Sequence, residues 1–151
     1  MSLIVALRLA LVLGLAVPAL GHAEPRAMVS GKPVKVTAAD AVGPVFKGSF
    51  AAKDASSTDG PATDVVMLRS KDKRMTVGLY EAGPSGSDIP SYPEAEFFYI
   101  LEGAITLTSP DGSVVAAKAG EGVAIPKGWK GHWSTKGYRK YYVVYETPSG
   151  H

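Results

Sequence analysis

From residue 45 to residue 146 the chain reads as short apolar and β-branched runs cut by turn residues. No stretch of that region holds a helical period over ten or more residues. "VVMLR" at 65–69 and "MTVGLYEA" at 75–82 flank the charged turn "RSKDKR" and are expected to form a hairpin. A Gly/Pro/Ser loop is expected at 83–93 and another loop at 55–64. Then come "EFFYILEGAITLTS", a turn at Asp111-Gly112, "SVVAAK", a turn at Gly120, "GVAIP", "WKGHWST" and "KYYVVYE". "VFKGSF" at 45–50 alternates as a further strand. Short strands at close spacing with Gly, Pro and Asp-Gly punctuation leave one class, an all-β barrel or sandwich. Aromatic and β-branched residues crowd into those runs, as a pleated, half-buried surface favours.

The first 23 residues read differently. Arg8 precedes a run of Leu, Val and Ala, Pro18 breaks it, and Gly21 and Ala23 sit where a signal peptidase accepts small residues. The uninterrupted apolar run after Arg8 is roughly ten residues, short of the roughly 20 that span a bilayer. The expectation is a secretory signal peptide over 1–23, with no membrane attachment after cleavage. An extended arm over 24–44 follows, with one short strand near "KPVKVT", then the β-domain over 45–146 and a tail over 147–151.

Without Arg8, 15 Lys and Arg face 14 Asp and Glu, so the exported part is nearly neutral and carries no basic stripe for nucleic acid. There is no cysteine, which excludes thiolate metal sites and cysteine nucleophiles and leaves stability to the core alone. The expected location is the periplasm or beyond. "GPSGS" at 83–87 lacks the Gly-Lys-Ser/Thr ending of a phosphate loop, and no serine sits in a nucleophile elbow.

Two segments match a known frame. Gly83, Glu96 and Gly103 fall at the spacing of the first cupin motif, and Gly120, Pro126 and Gly128 at that of the second. Residues 75–146 therefore resemble a cupin, implying a single double-stranded β-helix, or jelly-roll barrel. "YILEG", "IPKGWKGHW" and "RKYY" are similar to the small-cupin branch related to the ureidoglycine aminohydrolase cupin domain. Where the motifs of metal-bearing cupins place histidines, this chain has Ile89, Ser91 and Gly131, and Thr135 stands for the final Asn.

Those substitutions shape the functional expectation. Imidazoles and one carboxylate hold a cupin metal, and here Glu96 stands alone. No cofactor is expected. A divalent transition metal held by Glu96 and His132 is the weaker alternative, because strand alternation sends His132 outward if position 131 faces in. Glu96 should face the interior with Phe98 and Ile100, as a hydrogen-bonded structural carboxylate, a ligand-binding group or a general acid–base. Tyr92, Phe98, Trp133 and Tyr142 are the candidate pocket residues beside it, although which of Tyr141 and Tyr142 points inward stays open. Trp133 serves equally as core filling. Lys130 is a candidate beside the lost ligand position, with a solvent-facing role as the plain alternative. Arg139 and Lys140 are expected to bridge to Glu102 or to bind an anion.

The resulting expectation is a barrel that binds a small polar molecule without a conventional metal centre. A metal-independent enzyme using Glu96 is the alternative, followed by a metal-dependent aminohydrolase-like hydrolase. A homodimer is expected from the need to cover sheet edges.

Overall fold

A computed structural model describes residues 27–29, 31–54 and 61–147. The expected signal peptide and the end of the tail lie outside the described residues. Eight strands build one antiparallel system: β1 (Ala52–Lys53), β2 (Ala62–Arg69), β3 (Met75–Ala82), β4 (Ser85–Ile89), β5 (Ala95–Thr108), β6 (Val114–Lys118), β7 (Gly122–Ile125) and β8 (Gly131–Tyr145). The order is β1-β2-β3-β8-β5-β6, with β4 added to β8 and β7 to β5. The two long strands β5 and β8 pair along nearly their whole lengths and carry different partners at their two ends. That sharing folds the sheet over on itself into a jelly-roll barrel, the all-β architecture expected from the sequence.

The β2–β3 hairpin forms as expected around the 70–74 turn. Three expectations fail. The 83–93 loop contains β4, whose residues pair with Gly131–Thr135 of β8 while Ser87 and Ile89 turn inward. Its glycine and serines do not prevent a short strand that is paired on one side only. "VFKGSF" is no strand: Pro44 opens a 3₁₀ turn over Pro44–Lys47 and Phe46 plugs into an outer core. No strand forms at "KPVKVT" either. There Thr37 caps the short helix α1 (Ala38–Ala41) in a capping box with Asp40, and the arm's backbone pairing comes earlier, from Met28 and Val29 to the carbonyls of Val66 and Met67.

"WKGHWST" and "KYYVVYE" are parts of one strand, β8. Bulges interrupt its pairing with β5 between Ile100 and Glu102 and between Gly103 and Ile105. Inward positions on β5 are Glu96, Phe98 and Ile100 before the bulges, then Ile105 and Leu107 after them. Gly103 (φ 79°) sits there against Gly137, and a Cβ on Gly103 would stand 2.0 Å from the Gly137 carbonyl oxygen. Only glycine permits that backbone approach.

Two cores result. The barrel interior is filled by Tyr80, Tyr92, Phe98, Ile100, Trp133, Tyr138, Tyr142 and aliphatic neighbours. Val65 and Leu79 face the other side of the sheet and are covered by Ala41, Phe46 and other arm residues.

Candidate functional site

β5 brings Glu96 into the barrel and β8 brings Lys140 to meet it. Lys140 Nζ lies 2.6 Å from Glu96 Oε1, and the two side chains are 2% and 0% exposed. The Tyr92 hydroxyl donates to the other carboxylate oxygen, Oε2. Tyr92 reaches in from the 90–94 loop, which docks on the 126–130 loop through Tyr92 N–H to Trp129 O (2.7 Å) and Gly128 N–H to Tyr92 O (2.8 Å). Trp129 meets Tyr92 edge-on at 6.3 Å and donates its indole N–H to Ser109 Oγ, so these two residues close that part of the barrel.

Five rings surround the Lys140 ammonium: Phe98 at 4.5 Å, Trp133 at 5.5 Å, Tyr80 and Tyr138 at 5.7 Å and Tyr142 at 6.0 Å. Their faces attract the cation while the carboxylate neutralises it. Burial beside these carboxylates pushes the Tyr92, Tyr138, Tyr80 and Tyr142 hydroxyls above the usual phenol range, so all four stay protonated donors.

A second carboxylate, Asp64 of β2, accepts from the Tyr142 hydroxyl at 2.9 Å. Burial raises its pKa to about 6, against the lowering effect of that hydrogen bond. Tyr142 reaches Asp64 by passing over Gly78, where any Cβ would stand 2.6 Å from its hydroxyl. Tyr80 donates to Asp54 at 2.7 Å.

A cleft of about 590 Å³ opens beside this network. Lys53, Glu81, Glu102, Lys136 and Arg139 line it, and Tyr138 belongs to both the cleft wall and the core. Tyr138 stacks on Tyr80 at 6.3 Å and leans on Trp133 at 5.8 Å, whereas the cleft residue Arg139 turns to the other face of the sheet, over Phe46 of the outer core.

A family model described as an EutQ-like cupin domain matches residues 69–142. The EutQ protein of Clostridium difficile has 24% identity over 77% of this chain and 83% of its own, with a TM-score of 0.51. A protein of unknown function from Rhizobium leguminosarum gives 24%, 77% and 99%, with a TM-score of 0.53. A protein of unknown function from Pseudomonas syringae gives 16%, with 64% of this chain, 44% of its own and a TM-score of 0.57. No curated protein matches. With the jelly roll and the family match together, the assignment is settled. The chain belongs to the cupin superfamily. The likeness to these solved structures is one of fold.

Within this cupin, the sequence-derived candidates divide. Glu96, Tyr92, Phe98, Trp133 and Tyr142 come together in the interior, and Tyr142 rather than Tyr141 is the inward residue. Lys130 does not join them: it is exposed on the loop before β8. His132 points outward to a 2.8 Å hydrogen bond between its Nδ1 and the exposed Asp88, and so lies apart from Glu96 as a ligand. Glu94 is held by Lys127 and Thr147. Arg139 binds Glu102 as expected and Glu81 as well. Lys140 departs from expectation by turning inward to Glu96.

The donor set does not fit a cupin metal. Among the described residues no three His, Cys, Asp or Glu side chains converge, and both Glu96 oxygens are engaged by Lys140 and Tyr92. Position 131 has no room for a ligand either. A Cβ there would stand 2.4 Å from both the Thr108 carbonyl oxygen and the Trp129 ring, and Ile89 fills its own inward position with hydrocarbon.

Proposed function

We propose that this cupin is an exported module that binds a small polar molecule without a conventional metal centre. The observation that carries the reading is the Glu96–Lys140 pair: the carboxylate that a metal would need is already neutralised by a strand ammonium and capped by Tyr92. The open cleft lined by Lys53, Glu81, Glu102, Lys136 and Arg139 offers such a molecule both signs of charge. The apolar leader supports export to the periplasm or beyond. Phe97, Tyr99, Val143 and Tyr145 expose an apolar patch on the outer face of β5 and β8, which supports a homodimer.

The deciding experiment combines elemental analysis with a thermal-unfolding screen of small polar molecules, using protein secreted and purified without chelator or tag. The expected result is substoichiometric metal and a concentration-dependent rise in unfolding temperature with at least one molecule. A transition metal near one per chain would overturn the reading.

A second reading, a metal-independent enzyme, rests on Glu96 and Lys140 lying 2.6 Å apart, a buried carboxylate and amine within hydrogen-bond reach of each other. Glu96→Gln distinguishes the two: an enzyme loses turnover, whereas a binder shows only altered affinity. Hydrolysis at a bound metal, the chemistry implied by the aminohydrolase resemblance, lacks the ligands among the described residues.

A further inference from the structure

The strands β3, β8, β5 and β7 turn one face away from the barrel interior, and a single register row on that face reads Val77, Val143, Phe97 and Ala124. Tyr145 on β8 and Tyr99 on β5 extend the row to either side. None of these six positions carries a charge. Phe97 is 51% exposed, Tyr145 47%, Tyr99 42% and Val143 36%. On the β2–β3 side the N-terminal arm covers part of the same face, with Ala41 and Phe46 packed on Val65 and Leu79. There Val34, Lys35 and Val36 form one wall of an apolar groove of about 450 Å³, which Met67, Val77 and Val143 also line.

Area, shape and charge together say what covers this face. The three exposed rings offer about 300 Å² between them, roughly half of about 200 Å² each. A stable pair buries about 800 Å² per partner, so the occupant must take in the groove and its arm wall as well. One chain holds both halves of such a fit, exposed rings and an apolar groove side by side, and a second copy supplies rings for the groove and a groove for the rings. The borders match by sign too. Lys35 stands on the groove side and Glu121 beside the start of β7, both exposed. A two-fold operation turns each of them toward the side that carries the opposite charge on the other copy. A bilayer or a partner of one sign would suit one border and oppose the other.

We propose that this face seats a second copy of the chain, packed face to face about a two-fold axis that runs along β5, with the arm of each copy forming part of the interface. The inference rests on the homodimer reading and names how the two copies meet. The arm sets the direction of the axis. Among the described residues it rises above the sheet on the β2–β3 side. An axis across the strands would set arm against arm and hold the two patches apart. An axis along β5 places each arm beside the partner's β7 edge, lets the open patches meet, and brings Phe97 close to its own symmetry mate.

The test is sedimentation equilibrium and native mass spectrometry of the mature protein. Phe97→Glu and Phe97→Lys should each raise the dimer dissociation constant at least about tenfold. An equimolar mixture of the two should regain a dimer that holds one chain of each kind, because a residue near a two-fold axis meets itself. Val34→Glu, on the arm, should weaken the dimer by a similar factor with an unchanged circular-dichroism spectrum. Phe97 variants that stay dimeric, a mixture that stays monomeric, or a dimer indifferent to Val34→Glu would overturn this seat while leaving the homodimer to another surface. A parent protein that sediments as a monomer would overturn the seat and the homodimer together, and ligand binding would still be decided by its own screen.

Discussion

Lys140 and Glu96 meet at 2.6 Å in the middle of the barrel, one from each of the two long strands, with almost no solvent on either side chain. A buried ion pair is weak evidence for net stability, because desolvating both charges offsets most of their attraction. Removing one partner is different, since the other charge is then stranded. Lys140→Met and Glu96→Leu should each cost about 3–5 kcal/mol, and the double variant should recover most of that loss. Urea unfolding of the four proteins measures the coupling, and single losses under about 1 kcal/mol would show that the pair is not held together in solution.

Asp64 predicts an unusual pH dependence. Its folded pKa of about 6 lies above the ordinary 3.8, so the native state holds the proton more tightly than the unfolded chain does. Its contribution is then fully present below about pH 4 and is lost as pH rises through 6. A shift of this size corresponds to about 3 kcal/mol. Asp64→Asn, which mimics the protonated form, should be more stable than the parent at pH 8 and should lose that advantage at pH 4. Urea midpoints at the two pH values decide it.

The sequence revealed the barrel because strand patterning and turn chemistry are local. It placed Glu96, Phe98 and Trp133 inside because short-range alternation holds on either side of the bulges. It did not carry alternation across them. On β8 the inward set is Trp133 before Gly137, then Tyr138, Lys140, Tyr142 and Val144 after it. The switch from odd to even positions has no signal in "TKGYRKYYVVY" beyond the glycine itself. Each face of that run carries a basic residue, tyrosine and valine, so neither Tyr142 nor Lys140 could be assigned in advance. Asp64, Tyr80 and Tyr138 escaped notice for a related reason: their partners lie on other strands and appear only in the register.

The same bulge gives a third prediction. Gly103→Ala would force a Cβ to within 2.0 Å of the Gly137 carbonyl oxygen from a backbone already at φ 79°. The obstruction is main chain, so relief requires moving β5 against β8. The expected loss is about 3 kcal/mol or more, read as a lowered urea midpoint. Because Gly103 also lines the cleft, ligand binding should weaken with it.

The last prediction concerns the outer face of β5 and β8. Phe97 lies directly across from Val143 in the register, and Tyr99 and Tyr145 extend the same exposed patch, each of the four at least one-third accessible. No charged side chain belongs to that set of four, so one acidic substitution should oppose any apolar contact made through it. Phe97→Glu should shift sedimentation equilibrium from dimer to monomer at micromolar concentration. The barrel should keep its fold, because Phe97 points away from the interior that Glu96 and Phe98 occupy. A parent protein that sediments as a monomer would remove the homodimer from the reading while leaving the buried Glu96–Lys140 pair, on the opposite face of the same strand, untouched.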